Sequence, residues 1–159
     1  MKKSLLVLLT FIPIIVGYII NFTLTVPRVG VLIYYILPLL TTVFWFWLGS
    51  RFAHTTWKAL PAILIGNATG IISILVYLWQ YFLETDETMN MTLAFASQMF
   101  SASAPGFLLV KIAILFETKP NITAGAATVV ALNVISVVYM IMVFCIGFFW
   151  EKHNQQSAN

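Results

Sequence analysis

The sequence predicts an all-α fold: a polytopic integral membrane helical bundle of about five transmembrane helices. Three observations lead there. Of the 159 residues, 61% are hydrophobic and only 8% charged, whereas an ordinary globular domain carries roughly 25% charged residues. Mean hydropathy is +0.98, more apolar surface than a soluble fold of this length can hide. Apolar runs of about 20 residues recur along the chain, the length that crosses a hydrocarbon core about 30 Å thick, and the period-two alternation of a membrane β-barrel is missing.

The elements follow in order. The first span, about 4–20, begins after Lys2 and Lys3 and is interrupted by Pro13. Its basic start resembles a secretory signal, but "FTLTVP" behind it offers no small residue for cleavage, so the span is expected to be retained. The second, about 29–49, carries Pro38. The third, about 59–83, has Pro61 in its first turn, where a missing N–H costs little. Along it Ala59, Ala62, Gly66, Gly70, Ser73 and Tyr77 form one stripe of mainly small residues. The fourth, about 91–111, contains Pro105–Gly106, and at 100° per residue it gathers Asn90, Ala94, Ser97, Ser101, Ala104, Leu108 and Lys111 into a seam flanked by Gln98. The fifth, about 124–149, repeats the small and polar theme with Ala126, Asn133 and Ser136. Residues 1–159 read as a single transmembrane domain, with charges confined to short connectors.

Hydrocarbon gives no hydrophobic drive between helices, so small residues and side-chain hydrogen bonds supply the association. Spans three to five are therefore expected to form a tight bundle, with spans one and two facing lipid or a partner subunit. With the N-terminus inside, Lys2, Lys3, Arg51, Lys58, Lys111 and Lys119 fall on the inner side and Arg28 and Lys152 on the outer. That positive-inside bias predicts an N-in, C-out chain. Glu84, Asp86 and Glu87 then lie outside. Trp45, Trp47 and Trp57 fit an inner aromatic belt, and Trp79, Tyr81, Phe149 and Trp150 an outer one.

At about 1.5 Å of rise per residue, Thr41, Thr42, Asn67, Ser101, Ser103 and Asn133 reach comparable depths near the midplane. Hydroxyls and amides gathered there satisfy one another across helices or converge on a small polar ligand. The candidate ligand-binding residues are Thr41, Thr42, Asn67, Gln98, Ser101 and Asn133, with Lys111 as an anion or counter-ion site if a tilted fourth helix draws it inward; a lysine at a span's end otherwise extends its stem to the headgroups.

Absent chemistry narrows the function. The two histidines, His54 and His153, are assigned to opposite sides, no Asp or Glu lies within a span, and no phosphate-binding loop, dinucleotide fingerprint or CxxC occurs. Catalytic residues, metal sites and cofactors are therefore not expected. The single cysteine, Cys145, allows no intrachain disulfide. The net charge of +3 orients the chain rather than marking a nucleic-acid binder. The expectation is a non-enzymatic, transport-related subunit of a bacterial cytoplasmic membrane that binds or passes a small molecule. Its partners would be the lipid bilayer and another membrane subunit or a homo-oligomer. The alternative is a regulatory, immunity or assembly protein acting through helix contacts with another membrane protein.

Overall fold

The structure, a computed structural model, describes residues 2–85, 87–113 and 125–157, the side chains of 107, 111 and 112 excepted. Asp86 and Lys119, assigned to faces above, lie outside the described residues. Among the described residues every regular element is helical: α1 (Lys3–Leu9), α2 (Ile12–Thr23), α3 (Val29–Ala53), α4 (Ala59–Phe82), α5 (Met91–Ala102), a 3₁₀ helix (Pro105–Leu109), α6 (Val110–Ala113) and α7 (Ala126–Ser157). Among the described residues four stretches are long and apolar enough to cross a membrane: α1 with α2, then α3, α4 and α7. The expected helical membrane bundle is what the chain forms.

The break between α1 and α2 follows from Pro13. Without its N–H the ladder shifts, and Ile14 N–H bonds the Phe11 carbonyl at 3.1 Å instead of the carbonyl of Thr10. The Thr10 oxygen left over accepts the buried hydroxyl of Thr69 on α4, 2.9 Å away. A proline thus creates an acceptor that ties the first span to the third. Helix α3 runs unbroken through Pro38, and in the next turn the hydroxyls of Thr41 and Thr42 donate to the carbonyls of Leu37 and Pro38 at 2.8 and 2.9 Å.

Helices α3 and α7 form the densest pair in the bundle. They run parallel, with Thr42 beside Tyr139 and His54 beside Glu151. Gly49 lies against the backbone of Phe144 and Gly147 against that of Phe46, so each helix offers the other a glycine. Around this contact Trp45, Leu48, Phe52, Phe144 and Phe148 are fully buried. Span two is therefore central rather than peripheral. Its bulk fills the core, and its own glycine removes the obstacle to close approach. Trp45 likewise belongs to the core, edge-on to Phe100 with ring centres 5.5 Å apart, not to an interfacial belt. Of the stripe on α4, Ala62, Gly66, Gly70 and Tyr77 are buried while Ala59 is exposed, and Gly66 and Gly70 accept the rings of Phe144 and Phe100 rather than another backbone.

The two ends of the chain share one face, which corrects the N-in, C-out expectation. Lys3 Nζ donates to Thr56 Oγ1 at 2.7 Å in the α3–α4 connection. In that same connection His54 pairs with Glu151 at 2.9 Å and meets Gln155 at 3.1 Å, both near the end of α7. Phe149, Trp150, Lys152 and His153 accordingly lie at the N-terminal face, and α7 continues to Ser157 because its polar last turns dock on His54. Lys2, Lys3, Arg51, Lys58 and Lys152 gather at this basic end, against Arg28 at the opposite one, where Glu84 and Glu87 also lie. The parity changes because the fourth stretch is no full span.

Candidate functional site

Helix α5 enters from the acidic end, where the Asn90 amide donates to Gln80 Oε1 at 2.9 Å and the Asn90 side chain caps the helix by accepting from Leu93 N–H at 3.0 Å. Its 12 residues rise about 18 Å, roughly half of a hydrocarbon core. It ends where Ser103 and Ala104 N–H bond the carbonyls of Phe100 and Ser101 three residues back. The Ser103 hydroxyl takes the Phe100 oxygen as well, at 2.7 Å, and Pro105 keeps Ala104 from continuing the helix. Irregular backbone at membrane depth is tolerated where protein covers it. Ser103 and Ala104 are fully buried, and Gly106 is packed directly on Ser136 of α7.

Because α7 runs parallel to α3, it begins at the acidic end, where α5 also begins. Helices α5 and α7 thus start from the same end, and α5 is a half-helix held among α2, α4 and α7. Small residues let it in: Gly17 of α2 lies against the Met99 backbone, and Gly70 of α4 lies under Phe100.

The midplane residues are largely spent on carbonyls of their own helices. Ser101 donates to Asn133 Oδ1, joining the half-helix to α7, and Asn133 Nδ2 returns to its own helix at the Val129 carbonyl, 2.9 Å away. Trp45 Nε1 donates to Asn67 Oδ1 at 3.3 Å, while Asn67 Nδ2 bonds the Ile63 carbonyl at 2.9 Å. Thr41 and Thr42 serve α3, and Tyr139 reaches Thr42 Oγ1 at 3.5 Å. The structure brings Ser101 and Asn133 together and leaves Asn67 and the threonines in separate contacts. Lys111 belongs to the short α6, and its side chain lies outside the described residues. Ser136 Oγ, beneath Gly106, is buried without a hydrogen-bond partner.

Gln98 is different. Half-buried on α5, it bonds the Ala94 carbonyl at 3.2 Å and borders two clefts. The larger, about 310 Å³, runs between α4 and α5 past Tyr77, Gln80, Tyr81 and Met91. The smaller, about 110 Å³, lies among α2, α3 and α5 and places Gln98 with Asn21 and Tyr34. Asn21 donates to the Gly17 carbonyl at 2.9 Å and faces Met99 Sδ at 3.8 Å. Sequence reasoning passed over Asn21 because it sits at the apparent end of span one; the signal was an amide placed one helical turn after Gly17.

His54 and His153 stand at the same end, so the membrane does not separate them. Among the described residues no group of three His, Cys, Asp or Glu side chains could hold a metal ion.

The fold and this geometry define a class: a helical membrane protein whose described residues hold four stretches of membrane-spanning length packed around a half-helix. No protein-family model, no curated protein and no solved structure matches the chain.

Proposed function

We propose that the protein is a non-enzymatic, transport-related membrane subunit that takes a small, uncharged polar molecule beside the half-helix α5. The observation that supports this reading is the cleft where Asn21, Tyr34 and Gln98 meet on three different helices. Its lining holds no charged side chain, and amides and a phenol offer both donors and acceptors. At about 110 Å³ it suits a group of a few heavy atoms, a water occupying about 30 Å³ of liquid. A half-helix ending at mid-depth is a device many transporters use to bring polar groups into the bilayer.

Positive residues mark the cytoplasmic side of a membrane protein, so the basic end is assigned to the cytoplasm of a bacterial cell, with both termini inside. The cleft then lies toward the outer half. Four crossings make a thin wall for a pathway, so another membrane subunit or a second copy is proposed to complete it, and any energy comes from that partner.

The test is a thermal-shift screen of the detergent-solubilised protein against neutral metabolites, vitamins and amides. A ligand at 100 times its Kd adds about 2.7 kcal/mol to the apparent stability. Stabilisation that disappears in Gln98→Leu or Asn21→Leu supports the reading. A broad panel without any shift, with another membrane protein retained in mild detergent, would refute it and favour the regulatory or assembly role.

A further inference from the structure

The cleft at the basic end takes no part in the reading above and carries its own chemistry. About 340 Å³ in volume, it is lined by Lys3, Leu6, Arg51, His54, Thr55 and Thr56. Two cations reach it from different elements, Lys3 from the first turn of α1 and Arg51 from the last turn of α3. Lys3 Nζ lies 5.3 Å from the centre of the Trp57 ring and the Arg51 guanidinium carbon 5.4 Å from that of Trp47. Glu151 is directed at His54. Among the described residues no carboxylate pairs with Lys3 or Arg51, so both cations are free to meet an anion. Leu6, 1% exposed, supplies an apolar floor.

We propose that this cleft binds an anionic phosphate ester. The guanidinium fork matches two phosphate oxygens, and the ammonium adds a compact charge. The Thr56 hydroxyl, already accepting from Lys3 at 2.7 Å, has its own proton to donate. Tryptophans concentrate at headgroup level, so Trp47 and Trp57 set the cleft at the depth of lipid phosphates, and basic pockets between helices on the cytoplasmic side suit such headgroups. A free phosphate has the same chemistry, and the experiment separates the two sources.

The full chain in neutral detergent at fixed ionic strength is titrated with phosphatidylglycerol, with phosphatidylcholine and with inorganic phosphate, and the melting temperature is followed. Phosphatidylglycerol is expected to raise it saturably and phosphatidylcholine to leave it unchanged. Lys3→Gln and Arg51→Gln should each weaken the apparent affinity about fivefold, while Arg28→Gln at the opposite end should not. A shift with the lipid alone identifies a headgroup; an equal shift with inorganic phosphate identifies a free phosphate. Both side chains are exposed, so folding should survive their replacement; if Arg51→Gln loses its transition, Lys3→Gln carries the test. No saturable shift with either anion, or a Lys3→Gln response identical to wild type, overturns the proposal.

Discussion

Substituting Gly49 by alanine tests the α3–α7 contact at its tightest point. A Cβ there would collide with the carbonyl oxygen of Phe144 and stand 3.0 Å from its carbonyl carbon and 3.2 Å from its Cα, whereas carbon atoms rest at about 3.5–4.0 Å. The helices must separate by about half an ångström or more, and neither side can yield by rotating a side chain because the obstacle is backbone. Overpacking of this kind costs about 1–3 kcal/mol, in part because a gap of 0.5–1 Å forfeits roughly a quarter to a half of each dispersion contact it opens. Gly147→Ala meets the mirror situation, with its Cβ 2.9 Å from the Phe46 carbonyl carbon, and should cost the same. The double variant discriminates: once one methyl has pushed α3 from α7, the second enters space already opened. The pair should therefore cost less than the sum of its singles, by about 0.5–3 kcal/mol as for other contacting sites. Reversible unfolding in mixed micelles, with all four proteins in parallel, measures this. Strictly additive losses, or singles below about 0.5 kcal/mol, would refute the reasoning.

Four further outcomes are expected. Thr69→Val leaves the Thr10 carbonyl buried without its donor and should lower stability by about 1–3 kcal/mol, while Thr69→Ser should retain most of it in the same unfolding assay. A double-mutant cycle on Ser101→Ala and Asn133→Ala should give a coupling of about 0.6 kcal/mol, up to about 1.7, the range seen for hydrogen bonds between membrane helices. Gly66→Ala forces its methyl into the Phe144 ring and should be partly rescued by Phe144→Leu, read as recovery of melting temperature. In a Cys145→Ala background, Lys2→Cys and Gln156→Cys should react with an impermeant thiol reagent from one side of sealed vesicles and Thr88→Cys from the other.

Much of this architecture was legible in the sequence. The second and third spans, expected at about 29–49 and 59–83, are α3 at Val29–Ala53 and α4 at Ala59–Phe82, because long apolar runs between charged or proline-bearing connectors leave little choice. Of the polar residues picked out for their depth, Thr41, Asn67, Ser101, Ser103 and Asn133 are buried and Thr42 is partly so, and Ser101 does meet Asn133. What composition concealed was continuity: 91–111 is apolar enough for a span, yet "SASAPGF" supplies serines that compete for their own backbone and a proline that ends the helix. Orientation failed with it, since one lost crossing moves Lys152 to the other face. The core position of Trp45 was hidden because a tryptophan near the end of an expected span, with Trp47 and Trp57 close by, reads as interfacial until Asn67 is seen accepting its N–H. Gly49 and Gly147 gave no repeat to notice, as each packs on the backbone of a phenylalanine on the other helix.

The half-helix also bears on how the chain is made. A segment rising about 18 Å cannot settle across a bilayer by itself, and its slot is walled by α2, α4 and α7, the last of which is synthesised after it. Residues 91–113 must therefore wait at the membrane surface until α7 is in place and Asn133 and Ser136 are there to receive them. Biogenesis runs out of sequence order at this one point, and a ribosome-bound chain cut short before α7 would have only two of the three walls and leave α5 outside.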